Sequence, residues 1–147
     1  MNFTARWRAV PSAGPELIGA VTRTATPLLP GADCDRLLLA VMEAFNNICA
    51  HGGTRAPKPD VVVHIAGGAG TVTVTLSDDG DAFDPMANAA LALAVAEPAD
   101  DPHDPLAESG RGLSILTQCA DRLSYRREAG RNELQITVLA QADRTVV

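Results

Sequence analysis

The chain has 147 residues, a length that suits one domain around one core. Its net charge is −6, and no Lys/Arg cluster is dense enough to neutralise several phosphates, so direct nucleic-acid binding is not expected. The composition, 46% hydrophobic but only 3% aromatic, leaves the core to Leu, Val, Ile and Ala.

The N-terminus, Met1 to Trp7, carries no apolar run that resembles a signal peptide. No segment reaches the roughly 18 uninterrupted apolar residues of a membrane span, so a cytoplasmic protein with no membrane role is expected. Cys34, Cys49 and Cys119 form no C-x-x-C pair and read as reduced, packed thiols.

Residues 3–10 read as a first strand closed by Pro11. From Gly14 to about Thr26, Leu17, Ile18, Val21 and Ala25 line one helical face, which Pro27, Pro30 and Gly31 end. A longer helix is predicted from about Asp33 to His51, capped by Asp33 or Asp35 and left through Gly52-Gly53. Its apolar positions are Leu37, Leu38, Val41, Met42, Phe45 and Ile48.

Alternation is plainest over 61–78. Val61, Val63 and Ile65 precede a glycine-rich turn, and Val72, Val74 and Leu76 then alternate with Thr and Ser, as in a half-buried hairpin. Residues 86–109 begin Ala-rich and end in a Pro/Asp-rich stretch without periodicity, the pattern of a functional or disordered loop. A helix is predicted from Gly110 to near Ala120. Two more strands, about 122–128 and 132–139, meet at Gly130-Arg131-Asn132. This order predicts a two-layer α/β (α+β) sandwich, with a mixed, largely antiparallel sheet covered on one face by helices.

Three groups of residues have chemistry to offer. Glu43, Asn47 and His51, spaced by four, stack on one stripe of the long helix beside its apolar face. The same spacing suits a solvated polar face, and His51 suits a helix end or a packing position. Asp78 ends a strand and points a carboxylate beyond it, where it can accept from an exocyclic amine such as that of adenine. Gly80 lets the backbone come close to a flat ligand. Taken alone, an acidic surface turn is the readier reading there. Gly110-Arg111-Gly112-Leu113 opens a helix whose free N–H groups and dipole favour an anion, with Arg111 adding charge; a flexible joint also explains it.

Together and in this order, the three groups resemble the motifs of the Bergerat-fold (GHKL, histidine-kinase-like) ATPases. Glu43 to Gly52 resembles the N box, Asp78 to Pro85 the Asp-x-Gly-x-Gly box, and Gly110 to Leu113 the second glycine box. The closest resemblance is to the anti-sigma-factor serine/threonine kinases of the RsbW type, and it includes Ala120-Asp121 to Tyr125 and Gly130-Arg131-Asn132. It covers essentially the whole chain as a single domain, 1–147, with residues 86–109 as its ATP lid.

The resemblance implies ATP and Mg²⁺ as cofactors, and a role for each matching position. Asn47 would hold the metal bridging the phosphates. Asp78 would bind the adenine amine, with Gly80 and Ala82 beside the base. Gly110, Arg111, Gly112, Leu113 and nearby amides would bind phosphates, and Glu43 would be the general base. Ala82 departs from the pattern, because it adds a methyl where the family has the second glycine of its box.

The implied function is phosphorylation of a Ser/Thr on an anti-sigma-factor antagonist of the STAS type, together with sequestration of a sigma factor or analogous regulator. Relatives of this kind commonly pair as dimers. A partner-switching regulator that binds ATP without kinase activity is the alternative. With only a short stretch before the long helix, the phosphoacceptor and dimerising helices of a histidine kinase are not expected unless the chain is a fragment.

Overall fold

The computed structural model describes residues 1–51, 59–81 and 115–141, with His51 described by its backbone alone. The described elements are β1 (Asn2–Arg8), α1 (Gly14–Ala25), α2 (Gly31–His51), β2 (Asp60–Gly68), β3 (Thr71–Asp78), β4 (Arg122–Glu128) and β5 (Arg131–Leu139). Residues 115–119 are also helical. The strands form one five-stranded sheet in the order β1-β2-β3-β5-β4, with every neighbouring pair antiparallel. The expected antiparallel sheet with a helical layer is the observed one. None of the described helices is long and apolar enough to cross a membrane.

Alternation with period two decides which face the helices cover. Val61, Val63 and Ile65 of β2, Val72, Val74 and Leu76 of β3, and Leu134, Ile136 and Val138 of β5 are all buried. Their neighbours on the opposite face are Thr and Ser on β3, where the Thr73 and Thr137 hydroxyls pair across strands at 2.9 Å. Against the apolar face lie α1, packed on β2, and α2, packed on β3 and β5. Leu17, Val21 and Ala25 of α1 meet Leu37, Val41, Ala44 and Phe45 of α2 in the same core. Burying a side chain such as Phe45 contributes about 1.5–3 kcal/mol. With so few aromatics, the core depends on many aliphatic contacts of this size.

The connections are tight. At the β2–β3 turn a Cβ on Gly67 would lie 2.7 Å from the Thr71 carbonyl oxygen, so that residue has to be glycine. The β4–β5 hairpin turns on Ala129-Gly130, both with positive φ (53° and 75°), as a two-residue primed turn requires. Ala129 is strained there, since its Cβ disfavours the left-handed region.

Three expectations need correction. The β4–β5 turn is Ala129-Gly130 rather than 130–132, and Asn132 is a buried strand residue. The helix α2 begins at Gly31, with the Cys34 amide already donating to the Pro30 carbonyl, so neither Asp33 nor Asp35 is its N-cap. The first strand ends at Arg8, not residue 10.

Asp33 is instead 2% exposed and works inside the fold. Its Oδ1 accepts from Arg36 Nη2 at 2.7 Å and its Oδ2 from the Gln141 amide at 3.1 Å. Arg36 also donates to the carbonyls of Cys119 and Leu139, at 2.7 and 3.1 Å, and lies 3.5 Å from Asp121. Asp121 in turn accepts from the Leu139 amide at 2.6 Å. One guanidinium thus ties α2 to the end of helical segment 115–119 and to the end of β5.

Candidate nucleotide site

The alternation that fills the core also builds the candidate site, at the end of the sheet where β3 finishes. Residues 72, 74 and 76 face the helices, so residue 78 does too, but it is an aspartate, 4% exposed. Asp78 pairs with Asn132 on β5, itself 6% exposed, and Asn132 pairs with Arg127 on β4. One rung of the helix-covered face is therefore polar from β3 to β4, whereas the next, Leu76–Leu134–Tyr125, is apolar apart from the tyrosine hydroxyl.

Asp78 Oδ1 accepts from the Gly80 amide at 2.9 Å, closing the turn on itself, and from Asn132 Nδ2 at 3.1 Å. Asn132 Nδ2 also donates to the Asp81 carbonyl at 2.9 Å. Its Oδ1 accepts from Arg127 Nη1 at 2.9 Å and from the Tyr125 hydroxyl. Arg127 Nη1 donates as well to the Gly80 carbonyl at 3.0 Å. The turn 78–81 is thus held through its backbone and through its first side chain. No described residue donates to Asp78 Oδ2, which leaves one buried-edge acceptor open to a ligand amine.

On α2, Glu43 and Asn47 stand one turn apart and are both half-buried, at the margin of the core as their spacing predicts. Among the described residues, Asn47 Nδ2 is buried and has no hydrogen-bond partner. A buried amide donor without a partner costs about 1–3 kcal/mol and is expected where a ligand completes it. The amide oxygen of the same group is a hard donor suited to Mg²⁺, which is commonly held by one or two protein oxygens together with substrate phosphates. Among the described residues no group of three His, Cys, Asp or Glu could hold a metal. A phosphate-borne Mg²⁺ fits such a donor set, and the open Asp78 oxygen fits an adenine amine. When bound, the ion would neutralise phosphate charge beside Asn47.

Cys119 lies in the electrostatic field of both Arg36 and Glu43. Burial pushes its thiol above the ordinary value, Arg36 pulls it down and Glu43 raises it, so the thiol stays protonated at neutral pH.

The structure therefore describes Glu43, Asn47, Asp78 and Gly80. The other named positions, Ala82, Gly110, Arg111, Gly112 and Leu113, and the lid at 86–109, lie outside the described residues, as does the His51 side chain. Sequence reasoning missed Asn132 and Arg127 as partners of the Asp78 turn. The signal was available in parity, since Asn132 shares the core-facing phase of Leu134, Ile136 and Val138.

Residues 9–138 match the model of the histidine kinase-like ATPase domain. The chain is also 31% identical over 101 residues to the serine/threonine-protein kinase BtrW of Bordetella bronchiseptica, an alignment covering 69% of this chain and 67% of that protein.

Proposed function

Because the chain belongs to the histidine kinase-like ATPase family, in which ATP is the ligand, we propose that it is a serine/threonine-protein kinase of the anti-sigma-factor type. The observation that carries the reading is the pairing of an open acceptor, Asp78 Oδ2, with an unpartnered donor, Asn47 Nδ2, on the two elements that the family's nucleotide would bridge. The likeness to a serine/threonine-protein kinase supports the choice of reaction.

In this reading Asp78 receives the adenine amine and Gly80 lies beside the base. Asn47 would hold Mg²⁺, which would neutralise phosphate charge, and Gly110, Arg111, Gly112 and Leu113 would supply N–H groups and charge to the phosphates. Ala82 would bring one methyl more than the family's glycine to the Asp-x-Gly-x-Gly box. Glu43 accepts the proton of a substrate hydroxyl as its oxygen bonds to the γ-phosphorus and the bond to the ADP oxygen breaks. Such transfer needs mainly positioning and charge neutralisation, with one group to take the proton. The acceptor is a Ser/Thr of a STAS-type anti-sigma-factor antagonist, and a sigma factor or analogous regulator is the sequestered partner.

Incubating the full chain with candidate STAS-type antagonists and γ-labelled ATP tests this. Label should reach a serine or threonine of the antagonist. Glu43→Gln should slow transfer about 10²–10⁴-fold with Mg-ATP affinity roughly unchanged. Equal loss of binding and transfer removes Glu43 from the base role. Intact binding with no transfer under any metal condition leaves a nucleotide-dependent partner switch instead.

A further inference from the structure

The base end carries a feature that neither the motifs nor the proposed reaction requires. The Asp78 carboxylate does not stand alone. It is the inner end of a row of three side chains that runs through buried Asn132 to Arg127 on the edge strand, and the row orients it.

The Asn132 amide has a fixed sense. Arg127 has only donors to offer, so the atom facing Arg127 Nη1 at 2.9 Å must be the carbonyl oxygen. The Tyr125 hydroxyl adds a second donor on that side. The amide nitrogen therefore faces Asp78 Oδ1 at 3.1 Å and the Asp81 carbonyl at 2.9 Å, which are both acceptors. A flipped amide would set Arg127 against an N–H₂ group and the oxygens of Asp78, Gly80 and Asp81 against a carbonyl. With the Gly80 amide at 2.9 Å, Asp78 Oδ1 already accepts two hydrogen bonds, and Oδ2 is presented outward.

We propose that Asn132, oriented by Arg127 and Tyr125, is a positioning residue that sets base specificity: it locks Asp78 as a pure acceptor, so the site takes a 6-amino purine and rejects a 6-oxo purine. An exocyclic amine donates to Oδ2. A 6-oxo group there brings lone pairs against a carboxylate that cannot turn away, because its other oxygen is pinned from β5 and from its own turn. A site built to receive a hydrogen bond discriminates strongly against a ligand that lacks the donor. The proposal rests on the reading of Asp78 as the base-binding residue.

The test is titration of the full chain with Mg-ADP and with Mg-inosine diphosphate, which differ at the purine 6-position. The wild type should prefer ADP on the order of 10²-fold. Asn132→Ala should weaken ADP about tenfold and leave inosine diphosphate unchanged or tighter, so the ratio collapses. Arg127→Met removes an exposed side chain that donates to Asn132 Oδ1 and to the Gly80 carbonyl and makes no hydrogen bond to Asp78, and should lower the same ratio in a protein that still folds. Asn132→Thr, which keeps one donor, should restore part of the ratio.

Equal weakening of both nucleotides in Asn132→Ala and Arg127→Met marks a purely structural role and overturns the proposal. Asp78→Asn separates the premise. It can turn N–H₂ toward a 6-oxo group, so it should shift preference to inosine diphosphate. If it leaves the ratio of the wild type untouched, the reading of Asp78 itself fails, and the proposal with it.

Discussion

Two buried polar clusters stand against one hydrophobic core, and they are finished differently. Around Arg36, two aspartates, two backbone carbonyls and two backbone amides are matched to one guanidinium, with only Arg36 Nε left over. The groups it joins are elements of the fold: α2, the end of segment 115–119 and the end of β5. At the other cluster, Asp78, Asn132 and Arg127 are just as densely bonded to one another. Yet Asp78 keeps one oxygen without a donor among the described residues, and Asn47 on the facing helix keeps a buried nitrogen without an acceptor. A buried network is stable when every member is satisfied and costly when one is not. The first cluster behaves as a fastening. The second, in the proposed reading, is completed by a bound nucleotide.

That difference separates the effects of substitution. The largest change is expected at the fastening, where Arg36→Met removes the guanidinium that joins Asp33, Asp121 and two backbone carbonyls. Removing one partner of a buried ion pair costs about 3–5 kcal/mol, which denaturant unfolding would read directly. Nucleotide affinity of the protein that remains folded should be unchanged, and a comparable loss of affinity would merge the two clusters. Asp78→Asn should show the reverse. Its side-chain oxygen can still accept from Gly80 and Asn132, so stability should move by less than about 1.5 kcal/mol while ADP binding falls. The smallest effect lies outside both clusters. Ala129→Asn places the favoured Asn-Gly pair at the β4–β5 turn and should add about 0.5–1 kcal/mol, with affinity unaltered.

Much of this was legible in the sequence, because period-two alternation and the apolar stripes of two helices follow from local chemistry. Val61 to Leu76 and Leu134 to Val138 announced their own faces, and the Glu43–Asn47 spacing placed both residues at the core margin. The contacts that complete each cluster were not legible. Asn132 meets Asp78 only through a strand register set 54 residues away in sequence. Arg36 reaches carbonyls 83 and 103 residues along the chain. Local pattern holds no information on such partners. Asp33 was misread for the same reason: an aspartate early in a helix suggests a cap, and only the tertiary fold shows Gln141 and Arg36 around it.

The central claim, that the second cluster is a Mg-nucleotide site, is tested most directly by thermal unfolding of the full chain with and without Mg-ADP. Nucleotide at 100 times its Kd should add about 2.7 kcal/mol of stability, and most of that gain should vanish with EDTA or in Asn47→Ala. A melting temperature that millimolar Mg-ADP, Mg-ATP and their analogues all leave unmoved would contradict the account.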